Sequence, residues 1–113
     1  MIWTLTQVAF GGALGSVLRF LTISMVGGPW ATVLVNVAGS LAMGALAVTL
    51  RQSPFLMTGV LGGFTTFSAF SLDAARLYQN GQAMQALTYV AASVLLSLSA
   101  VALGAALARG ALA

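Results

Sequence analysis

The run Gly62-Gly63-Phe64-Thr65-Thr66-Phe67-Ser68-Ala69-Phe70 carries most of the chemistry this chain can offer, although it sits inside an apolar stretch. Thr65, Thr66 and Ser68 supply hydroxyl donors and acceptors. Phe67 and Phe70, three residues apart, place two rings on one helical face. Two glycines relax the backbone beside them. Non-helical backbone at membrane depth survives only where it is buried in protein or lines a watery cavity. The segment therefore reads as a site first and as a span second, and a break in the third span is expected there.

The remaining polar groups are few. Arg19, Asn36, Asp73, Tyr89, Ser93 and Ser97 are the ones whose placement suggests a role. There is no Cys and no His, so thiolate chemistry, disulfides, imidazole ligands and Ser-His catalysis are excluded. Asp73 is the one acidic residue, so an enzyme built on paired carboxylates is excluded too. The formal charge of +3 comes from Arg19, Arg51, Arg76 and Arg109, spread singly along the chain. That spacing makes no nucleic-acid surface. The expected surroundings are lipid.

The elements that must position these groups follow from composition. The chain has 113 residues, 60% hydrophobic and 4% charged. Soluble domains carry about 25% charged residues. This is therefore an all-α integral membrane protein. Runs of about 20 apolar residues cross a bilayer. Four are expected, at about 4–26, 30–50, 54–78 and 83–108, forming one transmembrane domain. Short connections make neighbouring helices antiparallel. No soluble domain is expected beside them, and no basic residue precedes the first apolar run as a signal peptide requires.

Counting residues at about 1.5 Å each places the polar groups by depth. Arg19, Asn36, Tyr89, Phe70 and Asp73 fall in the membrane half that carries the loops near Gly27–Pro29 and Gln79–Gln82. Ser93 and Ser97 continue inward from Tyr89 at four-residue spacing, as one stripe toward the midplane. Each has a plainer reading. Arg19 can snorkel, although at about 10 Å depth an ionisable residue usually faces protein or water. Asn36 serves equally as interhelical glue or as a pore donor. The serines can bond back to their own helix. Asp73 and Arg76 suit a helix-end ion pair, and the two Phe rings suit packing. Half a polar path in one subunit needs an inverted twin to complete it.

Helix ends put Arg51 and Arg109 on the side of the N-terminus, and Arg19 and Arg76 on the other. Two against two gives no strong orientation signal, so insertion both ways round stands beside a modest bias. The pairs Gly11/Gly15, Ser40/Gly44 and Gly59/Gly63 have the spacing of close helix contacts. In so thin a bundle they favour a homo-oligomer, most simply a dimer.

Three motifs together resemble the Fluc (CrcB) family of fluoride channels. Gly11-Gly12-Ala13-Leu14-Gly15-Ser16-Val17-Leu18-Arg19-Phe20 is similar to the family's first-helix motif. Asn36-Val37-Ala38-Gly39-Ser40 is similar to that of its second helix, and Gly62–Phe70 to its third-helix signature. The resemblance implies an antiparallel, dual-topology homodimer with two fluoride pores in the bacterial plasma (inner) membrane. It implies passive export of fluoride and resistance to it. Phe67 and Phe70 would be the pore phenylalanines and Asn36 the pore asparagine. Tyr89, Ser93 and Ser97 would form a polar track, and Arg19 an electropositive vestibule. Carbonyls of Gly62 and Thr65 would hold a central structural sodium ion. Asp73 stands where the family usually has Glu, Ala69 where Thr is common and Phe20 where Tyr is frequent.

These residue types suit a small, tightly hydrated anion. Amide and hydroxyl donors can replace its water. Phenyl rings have a positive edge that accepts an anion and repels a cation. A potential of 100 mV, negative inside, is worth about 2.3 kcal/mol per charge, roughly 50-fold in anion concentration. The rival class is a small multidrug-resistance-like proton/cation exchanger, also of four helices. It needs a carboxylate near the midplane, and Asp73 lies near a helix end.

Overall fold

The computed structural model describes residues 1–50 and 52–112. Arg51, placed above on the side of the N-terminus, lies outside the described residues. α1 (Ile2–Val26) ends at Gly27 and Gly28, whose φ of 76° and 72° turn the chain. Only glycine adopts that region without strain. Pro29 then opens α2 (Pro29–Thr49), at a helical position where no N–H is needed.

Ser53 caps the third span by accepting from the Leu56 N–H at 3.3 Å. The span starts as a π-helical segment, Pro54–Leu61, and runs into α3 (Gly62–Phe64). Thr65 (ψ 156°) and Thr66 (φ −153°, ψ 121°) are extended. α4 (Phe67–Gln79) resumes the helix, with the Thr66 hydroxyl accepting from the Ala69 N–H at 3.2 Å. After Gly81, α5 runs from Ala83 to Leu112, past the Ala108 where the apolar run was expected to end. Four stretches are long and apolar enough to cross a membrane: Ile2–Val26, Pro29–Thr49, Pro54–Gln79 and Ala83–Leu112.

Two seams hold the bundle. α1 lies against Pro54–Phe64, and α2 lies against α5. In the first seam backbone meets backbone. A Cβ on Gly59 would stand 2.8 Å from the Gly11 Cα, and one on Gly63 would stand 2.6 Å from the Gly12 carbonyl oxygen. In the second, Gly44 faces the Val101 carbonyl and Gly104 faces that of Leu41. These contacts correct one expectation. The small residues Gly11, Gly15, Gly44, Gly59 and Gly63 are used in contacts within the chain, so their spacing is no argument for an oligomer.

The glycines of the signature differ from expectation as well. Gly62 is helical (φ −63°, ψ −36°), and extension falls on the threonines. Gly63 is small so that α1 can approach, which is a packing demand and not a conformational one. Most buried side chains lie beyond the extended pair, where Val33, Phe70 and Tyr89 form the core with Val37, Ala74 and Leu77 packed on it.

Candidate functional site

Between α2, α4 and α5 lies a cavity of about 320 Å³. Asn36, Thr66, Phe67, Phe70, Ser93 and Ser97 line it, with Met43 and Val94 among the apolar remainder. Five of the sequence-picked groups thus come together: both rings, the amide and both serines. Thr65 lines it as well.

Asn36 is fixed at both ends of its amide. Its Nδ2 donates to the Thr66 carbonyl at 3.0 Å, and its Oδ1 accepts from the Thr66 N–H at 2.7 Å. The side chain stands in for a neighbouring strand beside one extended residue. These two bonds meet the glue reading, and the same side chain also lines the cavity. An amide nitrogen carries two hydrogens, and Thr66 uses one.

Ser93 is buried, and among the described residues its Oγ is the one buried side-chain polar atom without a hydrogen-bond partner. Thr6, Thr22, Thr49, Thr65 and Thr88 each donate to the carbonyl four residues back at 2.8–3.0 Å. Ser93 makes no such bond, so its hydroxyl is left for the cavity.

The rings form a series. Phe67 and Phe70 stand 5.2 Å apart, tilted by 52°. Phe70 stacks on Tyr89 at 5.5 Å and 25°, and Trp30 meets Tyr89 edge-on at 5.7 Å and 79°. Phe70 is buried, whereas Phe67 is 77% exposed.

Tyr89 and Arg19, expected along the ion path, stand outside the cavity wall, as does Gly62. Tyr89 was aligned with the serines, yet its hydroxyl donates to Asp73 Oδ2 at 3.0 Å. The Thr32 hydroxyl donates to the same oxygen at 2.8 Å. Asp73 thus serves two buried hydroxyls from α2 and α5, a use that the ion-pair reading with Arg76 missed. Arg19 likewise stays off the cavity wall, and its Nε–H donates to the Gly63 carbonyl at 3.1 Å. Thr32 was not picked. It precedes Asn36 by four residues and Gly39 by seven, so it shares their face of α2, and that spacing was the available signal.

The carbonyls of Gly62 and Thr65 have lost their helical donors. An unbroken helix would aim the Thr66 N–H at Gly62 and the Ala69 N–H at Thr65. Asn36 Oδ1 takes the first and the Thr66 hydroxyl takes the second. Such oxygens are hard donors suited to a cation without thiolate or imidazole affinity. No group of three or more His, Cys, Asp or Glu able to hold a metal exists among the described residues.

Four apolar spans, with a cavity lined by an amide, two serines and two rings, define a polytopic membrane protein. The chain belongs to the CrcB-like family, described as "CrcB-like protein, Camphor Resistance (CrcB)", which matches residues 6–105. It is similar to the Fluoride-specific ion channel FluC of Cereibacter sphaeroides, 54% identical over 121 residues, covering 97% of this chain and 98% of that protein. It is also similar to the protein of that name from Paracoccus denitrificans, 49% identical with 95% of each chain covered. The Rhizobium meliloti protein of that name is 52% identical, over 90% of this chain and 93% of its own.

Proposed function

We propose that this chain is a fluoride channel: a passive, anion-selective pore that lets fluoride leave the cell and so confers resistance to it. The observation that carries the proposal is the buried, unpartnered Ser93 hydroxyl in a cavity with Asn36, Ser97 and two phenyl rings. A buried hydroxyl without a partner is costly, and an anion that accepts from it removes that cost. Asn36 has one amide hydrogen to spare for the same ion. Tyr89 stacks on one face of Phe70, which also lines the cavity, and a phenyl ring's positive rim is the part that favours an anion.

Phe67 lines the cavity while largely exposed on its subunit. A second copy, inverted in the membrane, would cover that ring and continue the half path, giving two pores per antiparallel dimer. The oxygens of Gly62 and Thr65 would then meet their symmetry mates and hold a sodium ion at the dimer centre. When bound, that ion supplies positive charge that offsets the cost of an anion at low dielectric. The donor set fits it, because both oxygens are released from helical bonding and Gly62 is exposed. The site is in the plasma membrane of a bacterium in this reading, and no chemical step is catalysed.

The exchanger reading is weaker. Asp73 already accepts two hydroxyls on Oδ2 and stands off the cavity wall. The deciding experiment is fluoride efflux from liposomes, read with a fluoride electrode. Release without a proton requirement is expected, and it should be lost in Phe67→Ile and in Phe70→Ile. Drug-driven proton exchange with no fluoride release would refute the channel. Cross-linking of single-cysteine variants should join opposite ends of two copies; joining of like ends alone would remove the antiparallel dimer.

A further inference from the structure

The bond from Arg19 to Gly63 links residues 44 apart in sequence and ties α1 to the third span. In an unbroken helix the Gly63 carbonyl would accept from the Phe67 N–H. Thr65 and Thr66 are extended, so Phe67 is carried away and that oxygen loses its donor. An unsatisfied carbonyl in a bilayer has no water to turn to. Arg19 Nε supplies the missing hydrogen.

The placement follows from the first seam. Arg19 stands four residues beyond Gly15 on the same face of α1, the face pressed on Pro54–Phe64. The carbonyl it meets lies at the C-terminal end of that helical half, where the peptide dipoles favour a cation. Asn36 holds Thr66 from the other side, through both ends of its amide. The extended pair is therefore gripped from α1 and from α2 at once.

We infer that Arg19 is a positioning residue. It keeps the third span open at Thr65–Thr66 by replacing the Phe67 N–H at the Gly63 carbonyl, and so seats Phe67 at the cavity. This rests on the channel reading only for its effect on flux; its effect on the backbone stands without it.

The bonding atom separates this role from one of charge alone. A glutamine carries its amide nitrogen as many bonds from Cα as arginine carries Nε. At that position lysine has a methylene and methionine its terminal methyl, neither of them a donor. Arg19→Gln keeps the donor and drops the charge. Arg19→Lys keeps the charge and drops the donor at that place. Arg19→Met drops both.

Isotope-labelled protein in liposomes provides two readouts: solid-state NMR shifts of Cα and Cβ at Thr65 and Thr66, and fluoride efflux. Arg19→Gln should keep extended-backbone shifts and an efflux within about threefold of the parent, the scale of one retained hydrogen bond. Arg19→Lys and Arg19→Met should move both threonines toward helical shifts and lose about tenfold or more in efflux. Helical shifts in Arg19→Gln, or extended shifts in Arg19→Met, overturn the inference. So does full efflux in Arg19→Lys combined with loss in Arg19→Gln, which would leave Arg19 a source of field alone. A parent protein that passes no fluoride refutes the channel, and the shifts still decide on Arg19.

Discussion

The two halves of the third span solve different problems. Pro54–Phe64 docks on α1 through glycine, backbone against backbone, with little side chain between. Phe67–Gln79 docks on α2 and α5 through rings and hydroxyls: Phe70 on Tyr89, and Asp73 under Thr32 and Tyr89. Close backbone contact gives rigidity but leaves no room for a ligand. Ring-and-hydroxyl contact leaves gaps, and the cavity lies in one of them. The extended threonines are the handover, and two polar side chains from different helices guard it. A continuous helix would have bound the whole span to one seam.

Asn36→Ala is the severest test of that division. It removes both bonds to Thr66 and the amide facing the cavity. Two lost hydrogen bonds at about 1 to 1.5 kcal/mol each correspond to roughly a hundredfold, so liposome efflux should fall by about that factor. Efflux near the parent rate would mean that the handover needs no grip from α2.

Gly63→Ala probes the first half in isolation. Its new methyl would meet the Gly12 carbonyl oxygen at 2.6 Å, and helix backbone on both sides has nowhere to go. Overpacking of this kind costs about 1–3 kcal/mol, which denaturation in detergent would record. Unchanged stability would show that the first seam has slack, and the contrast between the halves would collapse.

Ser93→Ala is the mildest change and the most discriminating. Its hydroxyl is buried without a protein partner, so removing it should leave unfolding stability no lower than the parent's and raise it by up to about 1–3 kcal/mol. Efflux should nonetheless fall several-fold, about one hydrogen bond's worth. Thr88→Val, which removes a hydroxyl already bonded to the Met84 carbonyl at 3.0 Å, should leave efflux alone. Equal efflux in the two variants would detach Ser93 from the ion path.

Much of this was visible in the residues, for reasons of composition and spacing. Only helices satisfy their own backbone in lipid, so long apolar runs convert directly into spans. Glycines and hydroxyls at the centre of one run marked the handover. What escaped was the use each was put to. Gly63 carries two readings in the sequence, loosened backbone and close helix contact, and the structure realises the second, against α1 of the same chain; a glycine looks the same in either role until its neighbour is known. Tyr89 and Arg19 were grouped with the cavity by depth, but their partners lie 16 and 44 residues away. Such pairs exist only once helices have chosen their neighbours. For Asn36 the sequence leaves glue and pore donor open; the glue is observed in its two bonds to Thr66, and the pore donor remains part of the proposal.

The row of rings from Trp30 through Tyr89 and Phe70 to Phe67 gives the molecule a built-in optical gauge. Each ring rests on the next at 5.2–5.7 Å, and the last borders the cavity. An occupant that tilts Phe67 or Phe70 must reseat Tyr89, and Trp30 fluoresces against it. The other indole, Trp3, is 68% exposed near the start of α1. Replacing Trp3 with Phe would leave one emitter whose spectrum follows the filling of the cavity from the far end of the row.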